Sequence, residues 1–257
     1  MFDITATIIF HREYTYVLPA LASLQDVVSR ARQHGLNVEA RAIVDRPDER
    51  TLRLVEQRGT WLDGIEKVDF GDLGLSRNAG ARLAKGQYLA FFDGDDLWGA
   101  DWLTLAYAAA TAADAPSQTI WHPELLYYFH ESDYDAHSTS SEPHAAARSF
   151  HFFHGTTEEE AFDKRLLLMN NVWSANVFAH RSVHEKYPYL AINKQTGFGV
   201  EDWSWNIETS WKGLRHLVVD DTVHLIRVKQ HGSLGMQNTA EGLLPHLTDD
   251  LYPTLGA

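Results

Sequence analysis

An apolar run, Tyr88-Leu89-Ala90-Phe91-Phe92, ends in a cluster of acids, Asp93-Gly94-Asp95-Asp96. In an extended chain, residues two apart point the same way, so Asp93 and Asp95 can offer two carboxylates to one ligand. Gly94 between them leaves room for that ligand close to the backbone. Hard carboxylate oxygens suit Mg²⁺ or Mn²⁺, ions that also take diphosphate oxygens. Three carboxylates at the end of a buried strand repel one another unless something cationic joins them. Asp and Gly are also ordinary turn formers. Taken alone, the cluster therefore supports a cation site and no particular reaction.

Two further acidic positions stand out. Asp45 directly follows the apolar run Val38 to Val44, and by itself reads as a turn residue or helix N-cap before Pro47. Glu201-Asp202 opens a helical stretch behind Gly197-Phe198-Gly199-Val200. Neighbours i and i+1 do not share a helical face, so only one of these two carboxylates should face a ligand. The helix N-terminus favours the charged form, which would keep a base ready at neutral pH. Acidic helix starts are also common in any protein. His151 and His154 lie in a polar stretch and read as solvated.

The elements that must position these acids follow from hydrophobic period. Ile4 to Phe10, Val38 to Val44, Ile65 to Phe70 and Tyr88 to Phe92 read as strands. Leu18 to Gln33, Pro47 to Arg58, Leu75 to Ala84 and Asp101 to Ala113 read as helices between and after them. This alternation predicts an α/β fold, a mostly parallel sheet with helices on both faces. Right-handed crossovers then bring Asp45 and the Asp cluster to one edge, where ligands sit. The second half is less regular. Thr119 to Phe129 reads as strand, 130–160 as polar and loop-like, and Asn170 to Phe178 as extended. Trp203 to Lys212 reads as helix, and His216 to Val219 and Val223 to Val228 as strands. No repeat or Pro- or Gly/Ser-rich linker divides the chain, so we read 1–257 as one domain with two functional halves meeting near residue 120.

Composition narrows the partners. The 257 residues are 44% hydrophobic and carry a formal charge of -13. Such acidity disfavours nucleic acid and anionic lipid. There is no cysteine, which excludes disulfides and thiolate metal sites. No run approaches the roughly 18 apolar residues of a transmembrane segment, and Met1-Phe2-Asp3-Ile4 does not read as a signal peptide.

Gly74-Leu75-Ser76-Arg77-Asn78-Ala79-Gly80, followed by Ala84-Lys85-Gly86-Gln87 and the run from Tyr88 through the Asp cluster to Leu97-Trp98, resembles the central signature of glycosyltransferase family 2. The resemblance implies a Rossmann-like GT-A fold and an inverting transfer from a nucleotide-diphosphate sugar. It gives Asp95 to the metal, Asp93 to the donor ribose and metal, Asp45 to the nucleotide base, and Arg77 and Asn78 to the donor site. A carboxylate at Asp45 suits the N3–H of uracil or thymine, so a UDP- or dTDP-sugar is favoured. Gly197 to Trp203 resembles the family's Glu-Asp motif, which makes Asp202 the catalytic base and puts Glu201 beside the acceptor. Arg227-Val228-Lys229-Gln230-His231-Gly232-Ser233 resembles a segment whose His is a metal ligand in some members, so His231 is a candidate for Mn²⁺. Trp173 and Trp203 offer aromatic faces to an acceptor sugar. Two segments depart from the family pattern, Phe10-His11-Arg12-Glu13 after the first strand and Asp45-Arg46-Pro47-Asp48 after the second. Both normally touch the nucleotide. Arg46 is left to donor phosphate or to solvent.

The expectation is thus a Mn²⁺- or Mg²⁺-dependent enzyme acting on a saccharide or glycolipid acceptor in surface polysaccharide or lipopolysaccharide assembly. By association it is cytoplasmic and peripheral at the inner face of the membrane. The rivals are a metal-dependent phosphoryl or nucleotidyl transferase and a non-catalytic carbohydrate-binding module. The first lacks a Gly-Lys-Ser/Thr phosphate loop.

Overall fold

The computed structural model describes residues 2–130, 149–229, 238, 240–248 and 251. Strand β1 (Phe2–Phe10) lies between β2 (Val38–Asp45) and β4 (Gly86–Asp93), parallel to both, and β3 (Gly64–Val68) pairs with β2 in parallel. From Ile4 onward β1 is buried at every position, as expected of a parallel strand covered on both faces. Its alternate residues divide between two cores. Ile4, Ala6, Ile8 and Phe10 join α1 (Val17–Gln33) and α4 (Trp102–Ala112) on one face. Ile9 joins Leu89 and Phe91 on the other face, near α3 (Leu73–Leu83). Each such large side chain contributes roughly 1.5–3 kcal/mol by burial.

Register places the acids. Phe10 lies opposite Val44, and Ile9 opposite Asp93, so Asp45 and Asp93 leave the sheet at the same edge on either side of β1. The helix after β2 is α2 (Glu49–Arg58). Its cap is Asp48, which accepts from the N–H groups of Arg50 and Thr51. Asp45 is thereby released from the capping role its neighbour Pro47 had implied.

Beyond β4 the sheet becomes mixed. β8 (Phe178–His180) runs antiparallel to both β4 and β6 (Thr119–His130). β6 is parallel to β10 (Arg215–Val228), and β5 (Leu97–Trp98) closes the far edge antiparallel to β10. With β7 (Phe150–Phe153) antiparallel on β6, the described residues form a nine-stranded sheet. The two strands expected after residue 216 are one, with its register broken between Val219 and Val223 and Asp221 at φ 60°. Asn170 to Ala175 forms no strand, and the polar stretch after His130 contains β7. A short helix, α5 (Arg181–Lys186), follows β8, and α6 (Glu201–Trp211) starts at the Glu-Asp pair itself. A small pair, β9 (Phe198–Gly199) and β11 (Leu244–Pro245), lies apart from the main sheet. Among the described residues no helix is long and apolar enough to cross a membrane.

Candidate active site

A cleft of about 1600 Å³ opens at the edge where β1, β2 and β4 end. Segment 170–176, the start of α6 and the end of β10 form its other wall. Asp45, Asp93, Asp95, Asp96, Asp202 and Trp173 line it; Arg77, Asn78, Glu201 and Trp203 do not.

The four carboxylates from the sheet edge have different partners. Asp45 accepts from the N–H groups of Phe70, Gly71 and Asp72 and from the Ser76 hydroxyl, at 2.8–3.1 Å. A carboxylate has about four acceptor directions, and these donors fill them. Asp45 therefore holds the turn before α3, and the base contact implied by resemblance has no acceptor site left in this arrangement. Asp93 accepts from Arg77 Nη2 at 2.9 Å and Asn176 Nδ2 at 3.2 Å. Asp95 pairs with the Lys229 ammonium. Asp96 is buried, accepting from His224 Nε2 and the Arg227 N–H, both at 2.9 Å. Burial, and then the charge of Asp95, push Asp96 up to about 6.

Arg77 explains why Asp93 and α6 sit together. It is fully buried, and its other nitrogen, Nη1, donates to Glu201 at 2.5 Å. Burial works against its charge, but Asp93 and Glu201 outweigh that and hold the guanidinium above its ordinary value. Glu201 is thus turned inward and Asp202 outward, the one-in, one-out division that their adjacency on a helix requires. Neither Arg77 nor Asn78 reaches the cleft wall. Asn78 binds the backbone of Tyr189, donating to its carbonyl and accepting from its N–H. Trp203 donates to the Leu167 carbonyl and packs in a small core with Trp173.

Asp202 lines the cleft with only neutral donors, Asn171 Nδ2 at 2.9 Å and the N–H of Trp203 at 2.8 Å. Burial, and then Glu201, push it up to about 7. The helix N-terminus was expected to keep it charged; desolvation is the larger effect here. Trp173 reaches the cleft but stacks on the buried rings of His122 and His216. His154 was read as solvated and is instead buried, with Nδ1 against the Pro123 carbonyl at 2.6 Å and Nε2 accepting from Ser174 N. His151 is exposed as expected. Arg46 is half-exposed and paired with Asp69.

The sequence matches glycosyl transferase family 2 over residues 5–185. The chain belongs to that family. Its GT-A fold is shared with solved glycosyltransferases. TarS of S. aureus (residues 1–349) in complex with UDP-GlcNAc aligns with a TM-score of 0.59 and 14% identity, over 91% of this chain and 60% of that one. GalNAc-T7 with UDP, GalNAc and Mn²⁺ aligns with a TM-score of 0.62 and 14% identity, over 93% of this chain and 47% of that one. This family member therefore spans about half to three-fifths of the length of those two solved chains. No curated protein matches it.

The family resemblance implies a divalent cation, and the residues fit one in part. Asp93 and Asp95 turn hard oxygens to the cleft. Glu13 beside them is pushed up to about 8, first by burial and then by Asp95. Among the described residues no three His, Cys, Asp or Glu side chains assemble as a ligand set. A cation would therefore take one or two carboxylates and complete its shell with phosphate oxygens and water, as Mg²⁺ commonly does. His231 lies outside the described residues.

Sequence reading missed Glu13, Asn171, Asn176, His224 and Lys229. Glu13 accepts from the nearby His11 N–H, but the contacts of the others cross from 31 to more than 100 positions, so no local period marks the amides or His224. Lys229 carried a signal, since it lies inside the segment that drew attention to His231.

Proposed function

We propose that this family 2 member transfers a sugar from a UDP- or dTDP-linked donor to a hydroxyl of a saccharide or glycolipid acceptor, with inversion. One observation carries the reading: Asp202, raised to about 7, opens onto the same cleft as Asp93 and Asp95. A base whose pKa lies near the working pH combines availability with driving force. The acceptor oxygen attacks the anomeric carbon while its proton passes to Asp202. The bond from that carbon to the diphosphate oxygen breaks, and its electron pair leaves with the nucleoside diphosphate. Residues up to about 120 supply the donor side, and those beyond it the acceptor side and the base.

Support for the donor class comes from the UDP-GlcNAc complex of TarS and the UDP complex of GalNAc-T7. The latter also holds Mn²⁺, which supports divalent metal use. Asp95 with Asp93 would hold such an ion, which supplies positive charge to the departing diphosphate. Family resemblance supports an acceptor from surface polysaccharide assembly.

The test is Asp202→Asn, assayed for sugar transfer and, by calorimetry, for UDP binding. Transfer should fall by about 10³-fold or more, the scale of general base catalysis plus a wrong protonation state. UDP affinity should stay within about threefold, because the amide lies away from the donor phosphates. Transfer at the parent rate would remove Asp202 from the mechanism.

A further inference from the structure

A nucleoside diphosphate entering this cleft meets the carboxylates of Asp93 and Asp95 on one side. Like charges there oppose binding unless a cation intervenes. The protein supplies one itself. Lys229 follows the last residue of β10, and Arg227 two positions earlier ties that strand to the acid loop. Arg227 donates its N–H to Asp96 and its Nε to the Asp95 carbonyl, both at 2.9 Å. Residues two apart share a side of an extended chain, so Arg227 and Lys229 point together. Both cations lie over the Tyr16 ring, at 4.7 and 5.5 Å from its centroid. The Lys229 ammonium is thereby delivered to the Asp95 carboxylate.

The side chains of this pair are only 14% and 21% exposed. Water screens the pair weakly, unlike an ordinary surface salt bridge. An ammonium carries three donors, more than one carboxylate oxygen uses, and it faces the open cleft. A phosphate oxygen beside Asp95 would complete that donor set. A divalent ion approaching Asp95 must instead compete with Lys229 for the same carboxylate.

Building on the nucleotide-sugar reading above, we propose that Lys229 is a donor-binding residue: it bridges Asp95 to the donor diphosphate, giving donor affinity a metal-independent part, and it competes with divalent metal for Asp95. The free protein then holds Mn²⁺ weakly, and donor and metal each relieve one side of the same charge cluster.

The experiment compares the full chain with Lys229→Met and Lys229→Arg, folding being checked by circular dichroism. UDP and uridine are titrated calorimetrically in EDTA and again in Mn²⁺, and Mn²⁺ alone is titrated by electron paramagnetic resonance. In EDTA, Lys229→Met should lose at least about tenfold in UDP affinity, the scale of one lost charge-assisted hydrogen bond. Uridine, which has no phosphate, should bind all three proteins equally. Lys229→Arg keeps a cation and should retain most of the UDP affinity. Mn²⁺ alone should bind Lys229→Met several-fold more tightly than the parent. Equal UDP affinity of parent and Lys229→Met in EDTA overturns the proposal, as does UDP binding by the parent only with Mn²⁺. In both cases UDP still binds and the donor reading stands. Failure of every protein to bind UDP under any condition overturns the donor reading and this proposal with it. Should Lys229→Met not fold, Lys229→Gln carries the test: it removes the charge, so UDP affinity in EDTA should fall and Mn²⁺ affinity rise in the same way, and unchanged UDP affinity in EDTA overturns the proposal.

Discussion

The two walls of the cleft use the same side chain in opposite ways. On the sheet edge, Asp93 and Asp95 meet cations, Arg77 and Lys229. On the facing wall, Asp202 meets an amide and a backbone N–H, with Glu201 beside it. A carboxylate held by a cation is fixed in place and can share that cation with a ligand. A desolvated carboxylate with neutral donors and an acidic neighbour is pushed upward and can take a proton near neutrality. The comparison shows how one residue type takes two electrostatic settings within a single cleft, the division being set by partners rather than by identity.

The contrast can be broken most severely at its join. Arg77 ties Asp93 on the sheet edge to Glu201 at the start of α6. Arg77→Met should leave Glu201 buried and unpaired and lower stability by about 3–5 kcal/mol, measured by urea unfolding. A loss below about 1 kcal/mol would show that the pairs merely offset their own desolvation.

Acid should separate the walls in another way. His154 is held down at about 4 by burial, and His184 and His216 at about 3. Their ordinary value is 6.5, so between that pH and about 3 the unfolded chain binds more protons than the folded one. The histidines' share of stability should therefore fall as pH drops below about 6.5, by up to about 1.4 kcal/mol per unit for each that stays neutral in the fold, while Glu13, Asp202 and Asp96, raised to about 8, 7 and 6, work in the opposite direction. Urea midpoints of the parent and of His154→Phe across that range separate the two, and parallel profiles would mean that His154 is protonated in the folded state.

The base itself gives a sharper readout. A group that must be unprotonated yields a rate that climbs through its pKa, so kcat should rise with pH and level off above about 7. Removing the amide with Asn171→Ala takes a hydrogen bond from the charged form of Asp202. The limb should then move to higher pH and kcat at neutrality should fall by about tenfold, or ~1.4 kcal/mol. UDP affinity should not change. A lower kcat with an unmoved limb would make Asn171 a packing residue only.

Gly94 tests how tightly the sheet-edge acids are placed. A Cβ there would lie 2.4 Å from Phe10 and 2.5 Å from the Ile9 carbonyl. Neither neighbour is a flexible chain end, so Gly94→Ala should cost about 1–3 kcal/mol and shift Asp93 and Asp95 together. The smallest effect expected is on Asp202, across the cleft, whose pH limb should stay within about 0.3 units.

Much of the donor side was legible in the sequence because its determinants are local. Apolar period marked β1, β2, β4, α1 and α4 to within a few residues, and strand ends in a parallel sheet carry their last residues to one edge. The acid cluster and the Glu-Asp pair were visible as types and as spacing. Less was legible where a role depends on distant partners. Asp45 was read as a base contact, and its acceptor sites are filled by residues 25 to 31 positions away. Asp202 was expected to be held charged by a helix start, and burial instead pushes it upward. His154 looked solvated in a polar stretch, but β6 and segment 173–174 enclose it.

By itself, the sequence determined the family, the alternation that builds the first half of the sheet, and which carboxylates stand at chain positions able to meet a ligand. These follow from periodicities of two and 3.6 residues and from an ordered motif, both of which operate over short spans. The tertiary structure alone decided which carboxylates meet cations and which one meets neutral donors. That choice is electrostatic, and it rests on Arg77 meeting Glu201 across 124 positions and on Lys229 reaching Asp95. Charge and burial act through space, and only folding sets those distances.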